Sequence, residues 1–340
     1  MSADMLSSRT WDGDPRPRPV VGGQAVMEGV MMRNGAVYGI AVRRPDGSIQ
    51  ANRLVWRSMT DHPLLKHRFL RGFPTLLETL VNGIHALNRS VEMVAEEEEE
   101  RLSSLSLTLT LVAALAVALA LFVVAPHLLS LLMLQLGIGG DLDGLTFHVW
   151  DGFFKCCIFV AYIKVIARAP EVRRVFQYHG AEHKAIHAFE AGGTVDADAA
   201  MRQSRLHARC GTTFVLFVIF ISILLHAVLV PALLACYTPE SVTLKHVYTL
   251  VFKLLLVIPI SALAYELVRT AAELPDGPLA TALQAPGLML QRLTTYEPDA
   301  AQADVALVAL REALGPAWDN VRTPPYSADD APDDAYVRQT

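Results

Sequence analysis

The sequence predicts an α-helical multi-pass membrane protein with about four transmembrane helices, a small N-terminal β-rich cytoplasmic portion and short C-terminal helices. Three observations lead there. Of 340 residues, 52% are hydrophobic and the mean hydropathy is +0.34, too apolar for an ordinary soluble domain, although the net charge is only -5. Long apolar runs recur at 102–125, 153–168, 213–236 and 247–268. Two runs rich in β-branched and aromatic residues precede the first of them.

Residues 1–20 mix Asp and Arg with three prolines and hold no apolar core, so they read as a disordered start and neither a signal peptide nor a span. The β-rich portion covers 21–63. Within it Ala36 to Val42 and Ile49 to Trp56 are separated by Arg44-Pro45-Asp46-Gly47-Ser48, which reads as a hairpin because proline presets φ and Asp-Gly supports a tight reversal. Upstream, Glu28 sits among Met27, Val30 and Met31 with glycines at 22, 23 and 29. A carboxylate there needs a partner if it is buried; a Glu on the wet face of a strand is the equal alternative.

An amphipathic helix is expected over 64–101, where Leu76, Leu80, Ile84, Leu87, Val91 and Val94 recur at helical spacing and Gly72 and Pro74 mark the start. The run Glu96 to Glu100 reads as a solvated face with no binding role. The transmembrane domain follows over 102–270. Leu102 to Ala125 carries no charge, Pro126 interrupts the pattern, and His127 to Gly139 is too short to cross alone. Phe153 to Arg168 carries Lys155 and Lys164, expected to snorkel towards head groups. Thr213 to Cys236 is strongly apolar, and Val247 to Val268 has Lys253 and Glu266 near its ends and a kink expected at Pro259.

Residues 126–152 contain no Lys or Arg and 168–211 contain seven, so the 168–211 loop and both termini are expected in the cytoplasm. The four cysteines, two adjacent in a span, show no disulfide framework. Over 271–315, Gly287 to Thr295 and Ala300 to Leu314 read as short helices split by Glu297-Pro298-Asp299, and 316–340 as a disordered tail.

The chemistry is concentrated in Tyr178 to Glu190. On a helix, His179, Glu182, His183, His187 and Glu190 fall within an arc of about 140°, with Ala181, Ala185 and Ala188 behind them. His179-x-x-Glu182-His183 is the spacing with which inverzincin peptidases place two imidazoles on zinc and a carboxylate as base. A solvated polar helix would also explain it. His207 and Cys210 can supply further ligands, which raises the metal reading, and Cys210 could equally be an ordinary buried thiol.

The blocks Gly22 to Arg33, Tyr178 to Lys184 and Arg209 to Thr212, with Ala264-Tyr265-Glu266 and Pro286-Gly287-Leu288, resemble the YqhQ-like family of bacterial membrane proteins. That family is a domain of unknown function whose members carry the label of predicted metal-dependent enzyme. The resemblance spans roughly 21–313 and implies a multi-pass membrane protein. Its motif positions fall on Gln24, Glu28, His179, Glu182, His183, Lys184, Glu190, His207, Arg209, Cys210, Tyr265 and Glu266, leaving His187 a secondary candidate. Where the family pattern has a proline after the histidine of the third block, this chain has Ala208, which implies a looser hold on His207.

The expected function is a membrane enzyme dependent on a divalent metal ion such as zinc, a hydrolase with His179, His183, His207 and Cys210 as ligands and Glu182 or Glu28 as general base. The alternative is a non-catalytic membrane scaffold or assembly factor. A transporter is disfavoured, because ionisable residues gather beside a loop rather than at the centres of several spans. Membrane lipid is the expected partner, and the absence of a phosphate loop or basic stripe argues against nucleotides and nucleic acid.

Overall fold

The computed structural model describes residues 10–11, 14–17, 19–58, 67, 71–95, 104–192, 194–275, 277–321 and 336–338. Strands β1 (Thr10–Trp11) and β2 (Asp14–Pro17) pair antiparallel in the segment expected to be disordered. Strands β3 (Val21–Val26), β4 (Gly29–Asn34), β5 (Val37–Arg43) and β6 (Ile49–Val55) form an antiparallel meander. Strand β7 (Tyr336–Arg338), in the tail expected to be disordered, extends it in parallel beside β6. The expected hairpin is β5–β6, running from Val37 opposite Val55 to Arg43 opposite Ile49, with Gly47 supplying a φ of 87° in the turn.

The weak alternation of β3 and β4 has a cause. One face of the sheet, with Val30, Met32, Ala41 and Ala51, packs on α5 (Pro170–Ala191) and α11 (Ala300–Leu314); the other, with Met31, Ile40 and Val42, packs on α1 (Gly72–Val94). A strand covered on both faces has no polar side to alternate with.

Helix α1 lies with its polar and small side inward. Glu78, Asn82, Gly83, Ala86, Ser90 and Met93 are buried, whereas Leu80, Leu87 and Val91 of the apolar stripe are exposed. Each buried polar group meets a partner on the sheet side: Trp56 Nε1 donates to Glu78 Oε1 at 2.6 Å, the Asn82 amide bonds both Arg57 N–H and C=O, and Met27 N–H donates to Ser90 Oγ at 3.1 Å. The run Glu96 to Glu100 lies outside the described residues.

Among the described residues, three helical stretches are long and apolar enough to cross a membrane: Thr108–Gln135, Thr212–Cys236 and Val242–Ala271. In the first, α2 (Ser104–Leu119) continues through a π-turn at Ala120–Val124 into α3 (Ala125–Gln135), so Pro126 does not end it. Pro126 stands beside the widened turn, where its missing N–H costs least. Helix α4 (Leu145–Ile166) begins eight residues before the expected Phe153, and its Lys155 turns inward to Asp151 at 2.7 Å instead of snorkelling. Helix α7 (Thr212–Cys236) packs on α4 and α9 (Val257–Glu273). The break between α8 (Val242–Leu255) and α9 falls at Leu256, just before Pro259, whose ring clashes with the carbonyl four residues back.

Helices α10 (Pro278–Thr294) and α11 are separated as expected, and Asp299 caps α11 through a capping box with Gln302. The Thr295–Pro298 segment between them lies on α5, where a Cβ at Gly180 would collide with the Tyr296 carbonyl oxygen. Gly180→Ala should therefore lower stability by about 1–3 kcal/mol in thermal unfolding of the detergent-solubilised protein. Gly22→Ala, placed in open space, should stay within about 0.5 kcal/mol.

Candidate metal centre

Helix α5 starts on Pro170, whose fixed φ suits the first helical position, and stops at Gly192 with φ 79°. Between them Tyr178, Ala181, Ala185, Ile186 and Phe189 fill the core against the sheet and α11. The small residues are thus the packed side, and the histidines face the 202–211 segment that comes after α6 (Ala197–Met201).

His179, His183 and Cys210 each offer a ligand atom within 4.8 Å of the others. His179 Nδ1 lies 2.9 Å from the Thr294 carbonyl and His183 Nδ1 lies 2.6 Å from the Arg205 carbonyl. A carbonyl only accepts, so both Nδ1 atoms carry the proton and both Nε2 atoms keep a lone pair. His179 Nε2 stands 3.2 Å from Cys210 Sγ. Burial pushes His183 far below the usual imidazole range, to about 2, and pushes the Cys210 thiol up.

Glu182 is buried beside them. Its Oε2 has no hydrogen-bond partner, and burial raises its pKa to about 8 against the lowering effect of His179. Gly23 makes room for it, since a Cβ there would lie 2.9 Å from Glu182 Oε1 and 2.7 Å from the Met31 carbonyl. These groups line a cavity of about 550 Å³ bounded by Gly22, Gly23, Gln24, His207 and Arg209 among others.

Two expected site residues are placed differently. Glu28 forms a two-armed ion pair with Arg174, Arg174 Nε donating at 2.6 Å, and does not line the cavity. It holds the β3–β4 turn, where its own φ of 50° is left-handed, against the first half of α5. Its need for a partner was legible; the partner is a cation, which makes it a poor candidate for a base in that cavity. His207 falls in a second group with His187 and Glu190, whose ligand atoms also lie within 4.8 Å of one another. The reason is Glu190, which pairs with Arg209 and lies 3.6 Å from His207 Nε2. Although burial opposes it, the bonds from His207 and Arg209 hold Glu190 down at about 2.

Sequence reasoning missed Gln291, which is fully buried and clamps the His207 backbone with two bonds of 2.8 Å. That clamp supplies the rigidity that Ala208 was expected to forfeit. The signal was a lone amide directly after the apolar run Gly287 to Leu290. Lys184 is likewise structural, its Nζ donating to the Met201 and Gln203 carbonyls and pairing with Glu297 at 3.1 Å. Glu266 is remote in role, joining α9 to Arg71 at 2.6 and 2.7 Å ahead of α1.

The sequence profile of a family described as "Protein of unknown function (DUF1385)" matches residues 68–316. A Bacillus subtilis (strain 168) protein titled "Uncharacterized protein YqhQ" is 32% identical over 310 residues, covering 87% of this chain and 92% of that protein. No solved structure matches. With a profile across most of its length and a relative that aligns nearly end to end, the chain belongs to the YqhQ-like DUF1385 family that its motifs resemble.

Proposed function

We propose that this is a multi-pass membrane protein in which His179, His183 and Cys210 hold one divalent transition-metal ion, zinc by the nature of the donors, for a hydrolase at the cytoplasmic face. The observation that carries the reading is the pair of carbonyls behind the histidines. Ligand imidazoles characteristically give their second N–H to a carbonyl or carboxylate, which fixes the tautomer and aims the free lone pair at the ion. Thr294 and Arg205 do this for His179 and His183.

Bound there, such an ion supplies Lewis acidity and a water acidified towards neutral pH. Glu182 is the group placed to take up and return a proton: it sits on the ligand helix beside His183, and its Oε2 is unpartnered. His207, held by Gln291 and Glu190, forms the adjoining wall and orients what enters the cavity. The competing scaffold reading is favoured by one fact, that Lys184, Glu190, Arg209 and Gln291 are all committed to internal contacts.

For the membrane, the three long apolar helices support insertion, and α4 completes a four-span arrangement. Its 22 residues extend about 33 Å, enough for the hydrocarbon core; Asp151 and Lys155 face partners within the bundle, and Lys164 lies in the last turn. Four crossings put both termini, the sheet and 168–211 on one side, the side that the seven positive charges assign to the cytoplasm.

Protein extracted without chelator should carry about one transition-metal ion per chain by elemental analysis. His183→Ala and Cys210→Ala should lose most of it, while His187→Ala and Glu28→Gln should keep it. Metal-free wild type, or full retention in His183→Ala, would turn the reading to the scaffold. Reporter fusions at Asp141 and Thr340 test the topology: Thr340 should report cytoplasmic and Asp141 external, and an external signal from Thr340 would end the four-span arrangement.

A further inference from the structure

A second group of ionisable side chains lies inside the helical bundle, away from the metal centre, and overturns the premise that such residues avoid the spans. Asp151 and Lys155 come from α4, His127 from α3, His226 from α7 and Lys253 from α8, and all are buried. Lys155 Nζ and Lys253 Nζ both donate to one oxygen, Asp151 Oδ2, at 2.7 and 3.1 Å. The other oxygen, Asp151 Oδ1, has no partner, nor do His226 Nε2 and His148 Nδ1. Two ammonium groups therefore share one carboxylate in apolar surroundings. One is neutralised by it; the second would be an uncompensated buried charge, which is costly unless it can shed its proton.

A path for that proton is present. Lys253 Nζ lies 3.4 Å from His127 Nδ1, and His127 Nε2 lies 3.2 Å from His246 Nδ1. His246 is half-buried, next to Lys245, which pairs with the exposed Asp141 and Asp143 at 3.4 and 3.6 Å. In the other direction Lys155 Nζ lies 3.5 Å from His226 Nδ1, where the chain of contacts stops. His148 donates from Nε2 to the Leu142 carbonyl at 3.1 Å and completes the set of titratable groups around the cluster. These side chains touch one another directly, so the ligand that needs no added room is the proton itself.

We propose that Lys253 is a proton-binding site that loads and unloads through His127 and His246 at the end of the bundle where α8 begins. In loading, protonated His246 gives its Nδ1 proton to His127 Nε2, and His127 passes its Nδ1 proton to the lone pair of the Lys253 amine. One N–H bond forms and one breaks at each step. The products are neutral His246, the other tautomer of His127 and an ammonium paired with Asp151. Unloading reverses both steps. Ionisable groups inside a bundle that also reach one of its faces are the usual parts of a proton relay.

The test is nitrogen NMR of the full chain in lipid nanodiscs, with lysine side chains labelled and Lys253 assigned by its loss in Lys253→Arg. The Lys253 signal should pass from ammonium to amine between about pH 5 and pH 10. Asp151→Asn removes the counter-charge and should move that midpoint down by about one pH unit or more. His246→Ala, at the half-buried end, should leave the midpoint in place and slow exchange of the Lys253 protons with water several-fold. A Lys253 that stays ammonium throughout would overturn the proposal and leave a permanent ion triad tying α4 to α8. Unchanged exchange in a folded His246→Ala would overturn the path. The topology fusions report on the spans independently, so failure here does not depend on that reading.

Discussion

The buried half of α5 is a helix that cannot reach water, and every polar group on it has to be satisfied by something the rest of the chain brings. The 202–211 segment brings carbonyls to His183 and His187, and Met201 and Gln203 give theirs to Lys184. The end of α10 brings Thr294 to His179, and Gln291 fixes the loop from behind. Burial without partners costs several kcal/mol per charged group, so these contacts decide how the three segments converge. Two atoms on it stay without a hydrogen-bond partner, Tyr178 Oη and Glu182 Oε2, and of these two residues it is Glu182 that lines the cavity. A carboxylate oxygen left unsatisfied beside a cavity is where a cation or a proton gains most.

The sheet lies between α5 and α11 on one side and α1 on the other, and α1 reaches the cavity at Thr79. The two faces of the sheet carry separate cores, and glycines set how closely helices approach it. At Gly39 a Cβ would strike the α11 backbone at Ala309 and Ala313; at Gly83 it would lie 2.5 Å from Gln24 Oε1. The family blocks read in this light are largely assembly instructions. Gly23 seats Glu182, Glu28 anchors the turn to Arg174, and Glu266 joins the bundle to the sheet lobe through Arg71.

Much of this was legible from local pattern. The β5–β6 hairpin, the α10–α11 break and the face of α5 follow from turn chemistry, capping and helical spacing, all of which act over a few residues. The features that were not legible depend on residues far apart in the chain. The start of α4 was hidden because His148, Trp150 and Asp151 read as polar until Lys253, a hundred residues on, pairs with the carboxylate. Helix α1 reads as burying its leucines until Trp56, Arg57 and Ser90 show which side meets the sheet. Likewise His207 reads with Cys210 from their nearness in sequence, whereas its ligand atom groups with those of His187 and Glu190.

The π-turn at Ala120–Val124 sets α2 and α3 apart in a way that bears on how this chain tolerates change. A wider turn lodges one extra residue and so rotates the helix on its N-terminal side by about 100° relative to the helix on its C-terminal side. Helix α3 has an orientation to keep, with His127 and Ser130 buried in the bundle. Helix α2 shows none among its described side chains: Leu109, Leu111, Val112, Leu115 and Val117 are all exposed. The turn therefore acts as a slip joint, absorbing a single-residue insertion or deletion in α2 without disturbing the azimuth of the histidine in α3.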